Sequence, residues 1–357
     1  MTSAGHRPNR LKWGLGALGA LVVLALVAAG CGSSSSSGSK KDVDLGFVYA
    51  TTNGNFAQEM ALGAKSAAEH SPGVHFSESA PPDADGPAQV KLFQSAIRTS
   101  KDGLALETLF PDLFVRPLQQ ADQAGIPLVA VDTPAPKGTN VPLFIGNSNV
   151  ELGQTLAKAM LPKIPKDAKG KILVGTDTPG LVVLEDRNKG FEQTMKKERP
   201  GVTFLNFDSK QNPTDNFNSW SAKVKANPNA IAYVGPGTAD AVSMAQIQRK
   251  TGKRYLVGAA DLDPVALQGV KDGLVYTLVS PEHWLKGYIA LKVLADNAQK
   301  GKKIPKGWWN PGSLVVNSKN VDEIQARQKN NTTRYNGFKD EVNKQLANPS
   351  QYIKPLP

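Results

Sequence analysis

The chain has 357 residues, longer than one hydrophobic core usually grows, so two domains are expected. Its 40% apolar and 20% charged residues are ordinary for a globular protein, and a single cysteine excludes disulfides within the chain. The net charge of +11 is scattered over lysine-rich stretches such as Lys196 and Lys197 or residues 300–303, with no helix-turn-helix or aromatic-basic groove, so no nucleic-acid partner is expected.

Arg7, Arg10 and Lys12 precede an uncharged apolar run over residues 13–29 that ends in small side chains, the layout of an export signal. At about seventeen residues the run is at the lower limit for a spanning helix, and a plain membrane anchor is the alternative. The segment LVAAGC, residues 26–31, resembles the lipobox of bacterial lipoproteins. That resemblance implies a signal peptide over residues 1–30 and lipidation of Cys31, which would anchor the protein stably through several acyl chains. The Ser/Gly-rich residues 31–42 read as a flexible tether. The expected location is extracytoplasmic, lipid-anchored to the cell membrane of a bacterium.

From Asp44 onward, short β-rich runs alternate with amphipathic stretches. DLGFVYA (44–50) predicts a strand, FAQEMALGAKSAAEH (56–70) a helix ended by Pro72 and Gly73, and VHFSESA (74–80) a strand. Val90, Phe93 and Ile97 share one helical face; a strand over 103–109, a helix over 111–125 and a strand over 126–132 follow. After an irregular stretch at 133–141 the pattern restarts with a strand at PLFIG and a helix carrying Leu152, Leu156 and Met160 in register. Further strands are predicted at 171–177, 202–208, 230–235, 255–261 and 275–280, separated by helices centred near 193, 220, 245 and 268. The longest helix after the signal is predicted over 281–301. Such alternation implies an α/β fold of two lobes, each a parallel sheet flanked by helices and joined by a hinge. The first lobe is expected over 43–147 plus about 281–303, the second over 148–280 plus about 304–325, with 326–357 as an irregular surface tail.

Ligands of open parallel sheets sit beyond the carboxyl ends of the strands. Those ends place Glu107 and Thr108, Asp132 and Thr133, Asp177 and Thr178, residues 235–237 and Asp261 at a shared cleft. A carboxylate there can simply cap the next helix, a bland reading that fits Asp177 better than Asp132 or Asp261. Acidic acceptors with few basic groups suit a neutral polyhydroxylated guest, because hydroxyls donate to carboxylates in bonds worth roughly 1.5–3 kcal/mol each.

QQADQAGIPLVAVDTPAP, GNFAQEMALGAKSAAE, FIGNSNVELGQTLAKAML, DRNKGFEQTM and VGAADLDPVALQGVKDG together resemble the ribose-binding-protein-like, type I periplasmic solute-binding lipoproteins of sugar ABC transporters, over roughly residues 43–320. The resemblance implies that Phe56 stacks on a sugar face, that Asp132 and Asp261 accept hydroxyl hydrogen bonds from the two lobes, and that Arg187 donates to ring or hydroxyl oxygens. Asn53 and Asn55 are added as further contacts, with Glu107 and Trp284 near the same cleft. The chain departs from the family pattern at Thr133, often an arginine, at Glu107, often asparagine or aspartate, and at residues 235–237, usually Asn-Asp. The glutamine that usually precedes the long helix is also missing from the region of residues 280–282. The implied activity is capture of a sugar or polyol by lobe closure and delivery to an ABC permease, by a monomer without cofactor or metal. A receptor of the same fold feeding a membrane sensor or chemotaxis protein is the alternative.

An enzyme is not expected. GLGALG (14–19) falls within the export signal, and VGPGTAD (234–240) fits a pyrophosphate loop poorly at Pro236 and Asp240, which leaves a secreted dinucleotide-dependent enzyme as the weakest reading. No G-x-S-x-G occurs, and His6, His70, His75 and His283 show no metal-ligand spacing.

Overall fold

The computed structural model describes residues 41–356; the expected signal segment, Cys31 and most of the tether lie outside the described residues. The first half runs β1 (Val43–Val48), α1 (Asn55–Glu69), β2 (Val74–Ser79), α2 (Gly86–Thr99), β3 (Gly103–Glu107), α3 (Val115–Gln123), β4 (Leu128–Val131) and β5 (Leu143–Ile145). The second runs α4 (Asn149–Met160), β6 (Gly170–Thr176), α5 (Val182–Glu198), β7 (Val202–Asp208), α6 (Pro213–Ala226), β8 (Ala232–Gly235), α7 (Thr238–Thr251), β9 (Val257–Ala260), α8 (Pro264–Lys271) and β10 (Thr277–Ser280). The remainder is α9 (His283–Lys300), β11 (Gly307–Trp309), β12 (Leu314–Val316), α10 (Val321–Arg327), α11 (Asn331–Ala347) and β13 (Ile353–Lys354).

These elements build two sheets, a seven-stranded one in the order β13-β11-β5-β4-β3-β1-β2 and a six-stranded one in the order β12-β10-β9-β8-β6-β7. Every pairing is parallel except β11 with β13 and β10 with β12. Helices cover both faces, which is why strands such as β3 and β4 are buried along their whole length and read as unbroken apolar runs. The fold is the expected two-lobed α/β architecture. No helix among the described residues is long and apolar enough to cross a membrane.

The two lobes repeat one device. In the first, Gly63 of α1 faces Gly287 of α9 so closely that a Cβ at Gly63 would stand 1.9 Å from the Trp284 carbonyl oxygen. In the second, a Cβ on Gly153 of α4 would stand 1.9 Å from the carbonyl oxygen of Arg187 on α5. Only glycine lets these helix backbones touch, and the second contact fixes the height of Arg187 above its sheet.

The C-terminal region departs from expectation. β11 pairs with β5 and so extends the first sheet, although residues 304–325 were expected in the second lobe. Residues 331–347 are a helix rather than an irregular tail: Phe338 and Val342 are buried in the core that contains Trp284 and Trp309. Arg334 pairs with Glu59 at 2.6 Å, and Gln345 accepts from Trp309 Nε1 at 2.8 Å. The polar surface of α11 hid a sparse apolar face, because only a few of its residues point inward.

Candidate functional site

A cleft of about 910 Å³ opens between the two lobes at the carboxyl ends of their strands, at the upper end of the range typical of small-molecule sites. Asp132 and Asp261 sit in it at matching places. Each follows the last residue of a strand with left-handed backbone, φ 64° and 69°. The Asp132 N–H donates to the Ile145 carbonyl at 2.8 Å and the Asp261 N–H to that of Val279 at 3.0 Å. Such a backbone costs about 1–3 kcal/mol per residue, and here it aims both carboxylates across the cleft.

A chain of charged groups joins them. Lys286, wholly buried on α9, donates to Asp132 Oδ1 and lies 3.3 Å from His283 Nδ1. With Nδ1 accepting from the ammonium, the ring proton belongs on Nε2, which lies 3.1 Å from Asp261 Oδ1. Asp261 also accepts from Thr238 Oγ1 at 2.6 Å and pairs with Arg187 Nη1 at 3.5 Å. Arg187 is held in turn by the Pro236 carbonyl at 2.8 Å and by Asn149 Oδ1 at 3.0 Å.

Burial alone would raise both carboxyls. Lys286, with His283 and Arg187, instead holds Asp132 below its ordinary value, and Arg187 with His283 and Thr238 holds Asp261 well below. The two neighbouring acids respond the other way. Glu107, fully buried and close to the Asp132 charge, is pushed up to about 8, chiefly by burial. Asp177 is pushed up to about 7 by burial and by the charges of Asp240 and Asp261.

Of the residues singled out in the sequence, Asn53, Asn55, Phe56, Asp132, Arg187 and Asp261 all line the cleft. Phe56 is half-buried, its ring centroid 6.1 Å from that of His283. Two others do not reach it. Glu107 lies beneath the cleft, where one carboxylate oxygen accepts the Ala50 N–H at 2.7 Å. Trp284 packs in the first core, stacked on Phe338 at 5.0 Å, with its indole N–H donating to Asn331. It points away because α9 turns His283, not Trp284, toward the lobe junction. Lys286 and His283 were missed: a buried lysine in an amphipathic helix reads as surface, and only its i, i+3 spacing from His283 hints at a shared face.

Two helix-flanked parallel sheets, a cleft at their strand ends and a polar lining drawn from both define a two-lobed solute-binding architecture. The chain belongs to the periplasmic binding protein domain family, whose model matches residues 45–303. It is 24% identical over 273 residues to the ribose import binding protein of Bacillus subtilis (strain 168), covering 76% of this chain and 87% of that one. Among solved structures it resembles an ABC transporter solute-binding protein from Burkholderia graminis C4D1M in complex with D-arabinose, with TM-score 0.72, 24% identity and coverage of 79% and 97%. A solute-binding protein from Agrobacterium vitis bound to α-D-tagatopyranose matches with TM-score 0.71 and 24% identity, covering 80% of this chain and 98% of that one.

Proposed function

We propose that this protein is an extracytoplasmic, lipid-anchored solute-binding protein that captures a carbohydrate or polyol between its lobes and delivers it to an ABC importer. The observation that carries the reading is the cleft itself: a half-buried aromatic face, Phe56, stands among amide and carboxylate side chains from both lobes. An aromatic face covers the C–H side of a sugar ring, while polar groups read its hydroxyls. Names of related proteins that bind ribose, arabinose and tagatose support the same class of ligand.

In this reading the guest first settles on Phe56, Asn53 and Asn55. The lobes then close by bending where the chain passes between the sheets, bringing Arg187 and its neighbours onto the other side. Arg187 Nη2 has no partner among the described residues and is free to donate to a guest oxygen. Closure expels water, so a misplaced hydroxyl leaves a buried polar group unpaired; that penalty separates epimers. A micromolar ligand needs about 8 kcal/mol of net binding, within reach of a stacked ring and several charge-assisted hydrogen bonds.

Titration calorimetry against pentoses, hexoses and polyols tests the reading. Saturable binding is expected, with Phe56→Ala weakening it about tenfold at an unchanged melting temperature. Absence of binding across the panel would refute it.

A further inference from the structure

We infer that the carbohydrate taken by this cleft carries a protonated amine, as an amino sugar or amino polyol does, and that Asp177 receives the ammonium. This rests on the carbohydrate reading above and adds the charge of the guest to it.

The cleft is lined by five aspartates against one arginine and one histidine, in a chain whose net charge is +11. Four of the five are accounted for. Asp132 is bonded by Lys286, and Asp261 by Arg187, His283 and Thr238. Asp263 caps α8, accepting the Val265 N–H at 2.7 Å, and Asp83 is exposed and accepts from Asn53 Nδ2 at 3.1 Å.

Asp177 has none of these roles. It follows β6 without capping α5, whose N-cap is Leu181. Its hydrogen bond is to the adjacent Thr178 hydroxyl at 3.0 Å, and among the described residues no lysine or arginine stands within ion-pair distance of it. The nearby Arg187 bonds Asp261, the Pro236 carbonyl and Asn149 through Nε and Nη1, and makes no ion pair with Asp177. Behind Asp177 lies Asp240, fully buried and held by the Trp220 and Asn216 N–H groups, so its place is fixed. The loop opposite is shaped around the acid: a Cβ on Gly237 would stand 2.0 Å from Asp177 Oδ2.

A half-buried carboxylate set beside two others, with no ion-pair partner, takes up a proton more readily than an ordinary one, and that is how its cost is met while the cleft is empty. A hydroxyl relieves it in part, by one hydrogen bond; an ammonium relieves both the hydrogen-bond deficit and the charge. The same field repels sugar acids and sugar phosphates, and it gathers cations toward the cleft against the net charge of the protein.

The test is calorimetry at about pH 7.5, above the value of about 7 to which Asp177 is raised. D-glucosamine, D-galactosamine and D-mannosamine are set against their neutral parents and their N-acetyl derivatives. The amines are expected to bind about tenfold tighter than either neutral form, as a charge-assisted contact implies. Asp177→Asn, checked for an unchanged melting temperature, is expected to erase the preference, bringing the amines and their neutral parents to the same affinity. Neutral parents binding as tightly as the amines would overturn the inference and leave the carbohydrate reading intact. A preference that survives Asp177→Asn would overturn the assignment to Asp177. Loss of the amine preference on N-acetylation in the unmutated protein supports the charge argument even if the variant folds poorly. Failure of every amine and every neutral sugar to bind would overturn the carbohydrate reading itself.

Discussion

Asp132 of the first lobe and Asp261 of the second are bonded to each other's neighbourhood through one helix turn: Lys286 donates to Asp132, and His283, three residues earlier, meets Asp261 at 3.1 Å. The lobes therefore share a charged bridge as well as a cleft. Both of these cleft carboxylates are already partnered within the protein.

Removing Lys286 should be costly. Lys286→Met leaves Asp132 ionised, buried and short of its main partner, and breaking one side of a buried pair costs about 3–5 kcal/mol. The double variant Asp132→Asn with Lys286→Met should recover much of that loss, because no orphaned charge remains. Urea denaturation of the three proteins measures both effects; equal stability of the single variant and the parent would contradict the pairing. For the same reason Asp132→Ala, which orphans Lys286, tests folding as much as binding, and Asp132→Asn is the cleaner probe.

Stability should fall as pH rises above 5. Glu107 has its ordinary value of 4.5 when unfolded and about 8 when folded, so the native state binds the proton more tightly. Its contribution is fully present below the unfolded value and is lost as pH climbs toward the folded one. Asp177, raised to about 7, acts in the same direction. Asp132 and Asp261, both lowered, lose stability only in acid, below the ordinary carboxylate range. Between about pH 5 and 8 the parent should lose on the order of 3–6 kcal/mol, and Glu107→Gln should flatten that slope. Denaturant titrations at the two pH values provide the check.

Gly153→Ala should destabilise, although alanine is the better helix former by about 1 kcal/mol. The new methyl would meet the Arg187 carbonyl oxygen at 1.9 Å, so α4 and α5 must separate, at about 1–3 kcal/mol. The same shift moves Arg187, so weaker solute binding should accompany the loss of stability. Calorimetry beside a melting curve would show both or neither.

Deleting residues 331–357 should destabilise by at least about 3 kcal/mol, since it strips Phe338 and Val342 from the first core and leaves Glu59 without Arg334. Trp284 and Trp309 would gain solvent, so a red shift of their fluorescence should accompany the lower melting temperature. An unaltered spectrum would mean that α11 is an ornament on the surface.

The sheet cores were plain in the sequence. Strands buried on both faces appear as unbroken apolar runs, such as LVAV over 128–131, and the helices between them keep a 3.6-residue period. The elements near the C-terminus were harder to read. β11 and β12 are three residues each and join different sheets, and nothing in three residues says which sheet will receive them.

The site divides in the same way. Asp132 and Asp261 could be placed at the cleft because position at a strand end is a local property of the chain, whereas Phe56 and Arg187 followed from the family resemblance. Glu107 also ends a strand, yet its carboxylate turns inward to the Ala50 N–H, a contact across 57 residues that no local pattern encodes. Trp284 and Lys286 changed places with expectation for a related reason: the rotation of α9 is set by the Gly63–Gly287 contact with α1.

The amino-acid sequence alone determined the strand-helix alternation, the two lobes and which strand ends face the cleft, since these follow from short-range periodicity. Tertiary structure alone decided which cleft carboxylates are held ionised by a basic partner and which, like Asp177, have no such partner and are raised instead. Electrostatic partners are chosen by distance in space, and distance between residues far apart in the chain exists only once the helices have packed.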